Sequence, residues 1–67
     1  MANFAERLKD LRTDKGLTMK QVADAIQVSE MAISRWESNS RVPNVNSVID
    51  LAKFFGVSVG HLVGTED

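Results

Sequence analysis

Apolar residues recur along this chain at helical spacing, and short polar breaks separate the stripes. Phe4, Leu8 and Leu11 stand at i, i+4 and i+7 and mark one face of a first helix. Asn3, with Glu6 three residues on, fits an N-cap with a capping box, and Gly16 supplies the left-handed residue that ends a helix. The first helix is therefore placed at Phe4 to Lys15, with Arg7, Lys9, Asp10 and Asp14 on its outer faces. Thr18 and Gln21 form a second capping box, and Met19, Val22, Ala23 and Ile26 share one stripe of a second helix. Gln27, Val28 and Ser29 are the break, and Ser29 caps a third helix running to Glu37 or Ser38. A turn of about three residues between two helices is the helix-turn-helix signature.

The polar stretch from Ser38 to Asn46 holds a left-handed cap at Asn39 and a stop signal at Pro43. Asn44 caps a fourth helix whose inner stripe is Val48, Leu51, Ala52 and Phe55, ended by Gly56. Val57 tucks inward, and Ser58 caps a short fifth helix over Val59 to Val63 that Gly60 weakens and Gly64 ends. Thr65, Glu66 and Asp67 read as a frayed tail or the first step of a linker. No internal repeat or low-complexity segment interrupts this order, so all 67 residues form a single all-α domain, with the helix-turn-helix motif at about 18–37.

Composition narrows the chemistry. The chain has no cysteine, so disulfides and thiolate metal sites are excluded and no cofactor is implied. A single histidine, His61, builds no metal site by itself and reads as a surface or interface residue. There is no nucleophile–base set and no phosphate-cradling loop, so an enzyme is not expected. No apolar run reaches membrane-spanning length, and Met1 to Asn3 leads into the first helix without a signal peptide, which favours a cytoplasmic protein. The formal net charge of −1 is unusual for a nucleic-acid binder, which commonly carries a basic excess. Around the motif, Lys15, Lys20, Arg35 and Arg41 face Asp24, Glu30 and Glu37, so distribution outweighs the sum.

The third helix has two edges. With Ile33 at the centre of the inner face, at about 100° per residue, Trp36 and Glu37 flank it, and Met31, Ser34, Arg35 and Ser38 fall opposite. Glu30 stands in the first turn. These side chains suit base edges in a major groove. Arg35 can bond guanine O6 and N7, Met31 can pack on a thymine methyl, and Glu30 can accept from a cytosine amino group. Read without function, the same residues are the solvated side of a helix in a small bundle.

Taken in order, RLKDLRTDKGLT, VADAIQVSEMAISRWE, the single Pro43 and LAKFFGVSVGHLVG resemble the phage Cro and repressor family of helix-turn-helix domains, also called the XRE family. The resemblance covers about Phe4 to Gly64. It implies a compact five-helix, lambda-repressor-like fold, with the third helix reading DNA through Glu30, Met31, Ser34 and Arg35 and the second lying across the backbone. It implies backbone contacts from Thr18, Lys20, Gln21 and Ser29 at the helix starts, and from Asn39, Ser40 and Arg41 in the following loop. It also implies that Arg12 pairs with Glu37, tying the third helix to the first and bringing the arginine near a phosphate; otherwise these are two unrelated surface charges. Where the family usually has a glutamine contacting a phosphate, this chain has Met19, whose place on the apolar stripe suggests packing. The contact then passes to Lys20, Gln21 and the backbone amides of the helix start. Where the family tends to have glycine in the turn, this chain has Gln27, at a strain of about 1 kcal/mol if left-handed.

Phe54, Val59 and Val63 form either a broad core edge or a two-fold dimer face. A dimer aligns two recognition helices with half-sites about 34 Å apart on a palindromic operator. The function expected from all this is a sequence-specific double-stranded DNA-binding transcriptional regulator of bacterial or phage type, a repressor, acting as a homodimer. The alternative is a protein-interaction module on the same fold, favoured by the acidic balance, Glu30 and Met19.

Overall fold

The computed structural model describes residues 3–65. Among them are five helices and no strand: α1 (Phe4–Asp14), α2 (Met19–Ile26), α3 (Glu30–Glu37), α4 (Val45–Phe55) and α5 (Val59–Val63). Each begins at a side chain that accepts a hydrogen bond from an otherwise orphaned backbone N–H. Asn3 accepts from Glu6 N at 3.0 Å, Thr18 from Gln21 N at 3.1 Å, Ser29 from Ala32 N at 3.1 Å, Asn44 from Ser47 N at 2.8 Å and Ser58 from His61 N at 3.0 Å. Such a cap contributes about 1 kcal/mol, which matters for helices too short to persist alone. Only at α2 does the capping box close in both directions, with Gln21 Oε1 accepting from Thr18 N at 2.8 Å. At α1 the Asn3 half alone is present, in place of the full box expected from Glu6.

The helix ends follow left-handed residues. Gly56, at φ 70°, lets the Val57 N–H reach back to the Ala52 carbonyl at 3.0 Å and close the cap. Two ends use other residues, Gln27 at φ 61° and Asn39 at φ 63°. The structure sharpens two expected boundaries. α1 stops at Asp14, with Lys15 as its C-cap, because Leu17 N bonds back to the Arg12 carbonyl at 3.0 Å and closes the helix around Gly16. Thr65 is not frayed, since its N–H donates to the Gly60 carbonyl at 2.9 Å and its hydroxyl to the same oxygen at 3.3 Å. Glu66 and Asp67, the rest of that tail, and Met1 and Ala2 before α1, lie outside the described residues.

One apolar cluster joins all the helices except for their outer faces. Leu8, Val22, Ile33, Leu51 and Leu62 are fully buried, and Ala23, Trp36, Ala52 and Phe55 complete the centre. Each helix thus contributes at least one buried anchor, with no buried polar or charged residue among the described ones. α3 packs between α1 and α2, α4 packs on α2 and α5, and α5 returns to α1. The result places α3 on a scaffold touched from two sides, with its other side open. No described helix is long and apolar enough to cross a membrane.

Candidate nucleic-acid interface

Helix α3 divides as its periodicity requires. Ile33 is fully buried and Trp36 nearly so, while Glu30, Met31, Ser34, Arg35 and Ser38 are exposed. Met31 is 60% exposed, a large apolar side chain presented to solvent in the middle of a polar face. The four expected base-reading residues are therefore brought together on one open surface.

A charged clamp fixes that surface to the scaffold. Arg12 Nε donates to Glu37 Oε2 at 2.6 Å and Arg12 Nη2 to Oε1 at 2.9 Å, a bidentate fork between α1 and the end of α3. Nη1 donates to the Leu17 carbonyl at 2.9 Å, so the same guanidinium also holds the loop between α1 and α2. The side chains are 12% and 4% exposed, so the pair is shielded from solvent. Hydrogen bonding to Glu37 holds the Arg12 guanidinium above its ordinary range; burial opposes this and the charge of Glu37 adds to it. These are the two charges of which the alternative reading made unrelated surface groups.

The expected backbone-contact residues are all exposed. Thr18, Lys20 and Gln21 are exposed at the start of α2 and Ser29 at the start of α3. The oxygens of Thr18 and Ser29 accept within their caps, which leaves each hydroxyl proton to donate outward. Lys20 stands 3.6 Å from Asp24 across one helical turn, with both side chains about 70% exposed (71% and 68%), a pair worth little in solution and easily broken by a phosphate. Asn39, Ser40 and Arg41 are exposed in the loop after α3. Ser40 N donates to the Arg35 carbonyl at 2.9 Å, and Ser38 and Ser40 share a hydroxyl bond of 2.9 Å. That loop is thus ordered against the end of α3.

Three features escaped the sequence. Arg7, expected on the outer face of α1, is half buried instead. Its Nη1 lies 3.1 Å from His61 Nδ1, and its Nε is buried without a partner, because α5 folds back over that side of α1. Met19 is half buried, as packing required, but it also lines a surface recess with Glu30, Met31 and Ser34. Of the expected dimer face, Phe54 and Val59 are 40% and 43% exposed, while Val63 is half buried; Val42, Val45 and Ile49 are exposed as well, at 81%, 72% and 36%. The Arg7 and Met19 placements depend on how two helices cross, which periodicity within one helix cannot supply.

A helix-turn-helix family model matches residues 8–62, most of the chain and the central cluster from Leu8 to Leu62. The chain belongs to the XRE-type helix-turn-helix family. This is a non-enzymatic class. Among its relatives is the HTH-type transcriptional activator BcrR of Enterococcus faecalis, 44% identical over 64 residues, which are 96% of this chain and 31% of that protein. Another is the cryptic phage CTXphi transcriptional repressor RstR of Vibrio cholerae, 31% identical over 64 residues, 96% of this chain and 58% of that protein. This XRE-type chain thus spans 31% and 58% of the length of these relatives. The P22 c2 repressor protein, solved in complex with a synthetic operator, shares the fold with a TM-score of 0.91, over 98% of this chain and 100% of that one at 24% identity. The fold is the lambda-repressor-like domain that the resemblance implied.

Proposed function

We propose that this chain is the DNA-binding domain of a transcription regulator and that α3 reads base edges in the major groove. The observation carrying this reading is the exposed face of Glu30, Met31, Ser34 and Arg35 on a helix held by Ile33, Trp36 and the Arg12 fork. A solvated helix has no need of such anchoring; a reading helix does, because hydrogen bonds to base edges discriminate only if side chains arrive in fixed register. The regulators named among its relatives support the same function. Thr18, Lys20, Gln21, Ser29, Asn39, Ser40 and Arg41 then supply phosphate contacts around that face and set its register on the duplex. Two copies joined through Phe54, Val59 and Val63 read a palindromic operator. Occupying a promoter excludes other proteins by overlap, so the domain acts as a repressor without further machinery, in the cytoplasm of a bacterial or phage-infected cell.

Titration of random duplex pools at increasing salt tests this. A reader enriches a palindromic site, and log K falls by about 0.9 per neutralised phosphate for each unit of log salt. Absence of binding to every duplex at low salt overturns the reading and leaves a protein-interaction module on the same fold. Within the selected site, Arg35→Ala is expected to relax preference at one base pair per half-site and to weaken binding by about 1–3 kcal/mol. Equal weakening on all sequences would mean that Arg35 touches only phosphate.

A further inference from the structure

Between the start of α2 and the open face of α3 lies a recess of ≈ 320 Å³, lined by Met19, Glu30, Met31 and Ser34. Two thioether side chains from different helices meet there, one half buried against the core and one 60% exposed. Among the described residues, the Glu30 carboxylate enters no ion pair or hydrogen bond. We propose that this recess receives the C5 methyl group of a major-groove pyrimidine, with Met19 as a specificity-determining residue beside Met31. The inference rests on the reading of α3 as the major-groove helix.

The chemistry of the recess decides what it accepts. Thioethers offer no N–H, and a free carboxylate repels phosphate, so the recess does not suit the DNA backbone. Its walls are soft, unbranched and adaptable, which fits a small apolar group. In the major groove, the C5 methyl is the apolar group that a base edge presents. Two bases carry it, thymine and 5-methylcytosine. Glu30 accepts from the amino group of cytosine and repels the O4 acceptor of thymine. The methyl therefore belongs either to a 5-methylcytosine that meets Glu30 and the methionines together, or to a thymine next to a cytosine held by Glu30.

The test takes the duplex that this chain selects from a random pool. Each thymine is replaced singly by uracil, which removes the methyl and nothing else, and each cytosine singly by 5-methylcytosine, which adds it. Affinity is measured by fluorescence anisotropy. One position per half-site is expected to respond by about fourfold, the value of burying one methyl group. A loss on thymine to uracil identifies thymine as the source, and a gain on cytosine methylation identifies 5-methylcytosine. The ratio of methylated to unmethylated affinity should collapse toward one in Met19→Gln and be retained in Met19→Leu. Since each ratio is internal to one variant, a general loss of affinity cancels from it. Met31→Ser, at an exposed position, should abolish the same ratio and serves if Met19→Gln does not fold. Binding with no methyl-sensitive position, or a ratio unchanged in Met19→Gln, overturns this inference and leaves the reading of α3 standing. No binding to any duplex overturns both.

Discussion

Arg12 is the residue on which the orientation of α3 turns. Its guanidinium forks onto Glu37 at 2.6 and 2.9 Å and reaches the Leu17 carbonyl at 2.9 Å, so one side chain joins α1, the following loop and the end of α3. A shielded ion pair of this kind is poor evidence of net stabilisation, because removing two charges from water costs nearly as much as their attraction returns. Losing one partner is different, since the other charge is then stranded. Glu37→Ala is expected to lower the unfolding free energy by about 3 kcal/mol, and Arg12→Met by a similar amount. The double variant Arg12→Met with Glu37→Leu should recover most of that loss. Urea unfolding at constant m measures all three. Single variants within about 0.5 kcal/mol of wild type would mark the pair as a surface contact of no consequence. For a small domain with about 5 kcal/mol in hand, the expected loss leaves a marginally folded protein. The folded-state pKa of Arg12 is raised, so its contribution is fully present below the ordinary arginine range and is lost only as pH rises through the raised value. No pH dependence in the neutral range comes from Arg12.

At the scale of elements, the turn between α2 and α3 sets the angle at which α3 is offered. Gln27 occupies the left-handed region there, at φ 61° and ψ 46°, with its N–H returned to the end of α2. A side chain with a Cβ is strained in that region by about 1 kcal/mol. Gln27→Gly relieves this strain but adds freedom to the unfolded chain, so a net gain of about 0.5 kcal/mol is expected in thermal or urea unfolding. A loss instead would show that the Gln27 side chain holds the turn by a contact of its own. This turn also shows what a sequence discloses. The caps at Thr18, Ser29, Asn44 and Ser58 were legible because each signal spans about three residues, within one turn of helix. The stripes of Leu8, Val22, Ile33 and Leu51 were legible because burial repeats with the helix. Arg7 against His61, and Met19 beside Glu30 and Met31, were not, since each pairing depends on how two helices cross rather than on spacing along either. Arg12 and Glu37 also stand on different helices, 25 residues apart, and only likeness to a family suggested that they meet.

Seen whole, the molecule has little charge to draw it to DNA. The net charge is −1, and Arg12 is already committed to Glu37. Cationic phosphate contacts are then few for each copy, and a single domain reaches useful affinity with difficulty. Two copies joined on one duplex convert the second binding step into an intramolecular one, with a gain on the order of a hundredfold or more. The apolar side chains left open fit this arrangement: Phe54 and Val59, 40% and 43% exposed, lie on α4 and α5. The Phe54 ring also meets Phe55 edge to face at 5.0 Å, so it is braced rather than free. Val59→Asp tests the pairing with little harm to the monomer, because the residue is exposed and a carboxylate suits the first turn of a helix. The variant is expected to bind a single half-site as wild type does, while its affinity for the full palindrome falls on the order of a hundredfold. Sedimentation on and off the duplex, with titrations of half and full sites, measures both. Equal affinities of Val59→Asp and wild type for the full palindrome would sink the dimer through this face, for a charge buried there without a partner could not leave the pairing intact.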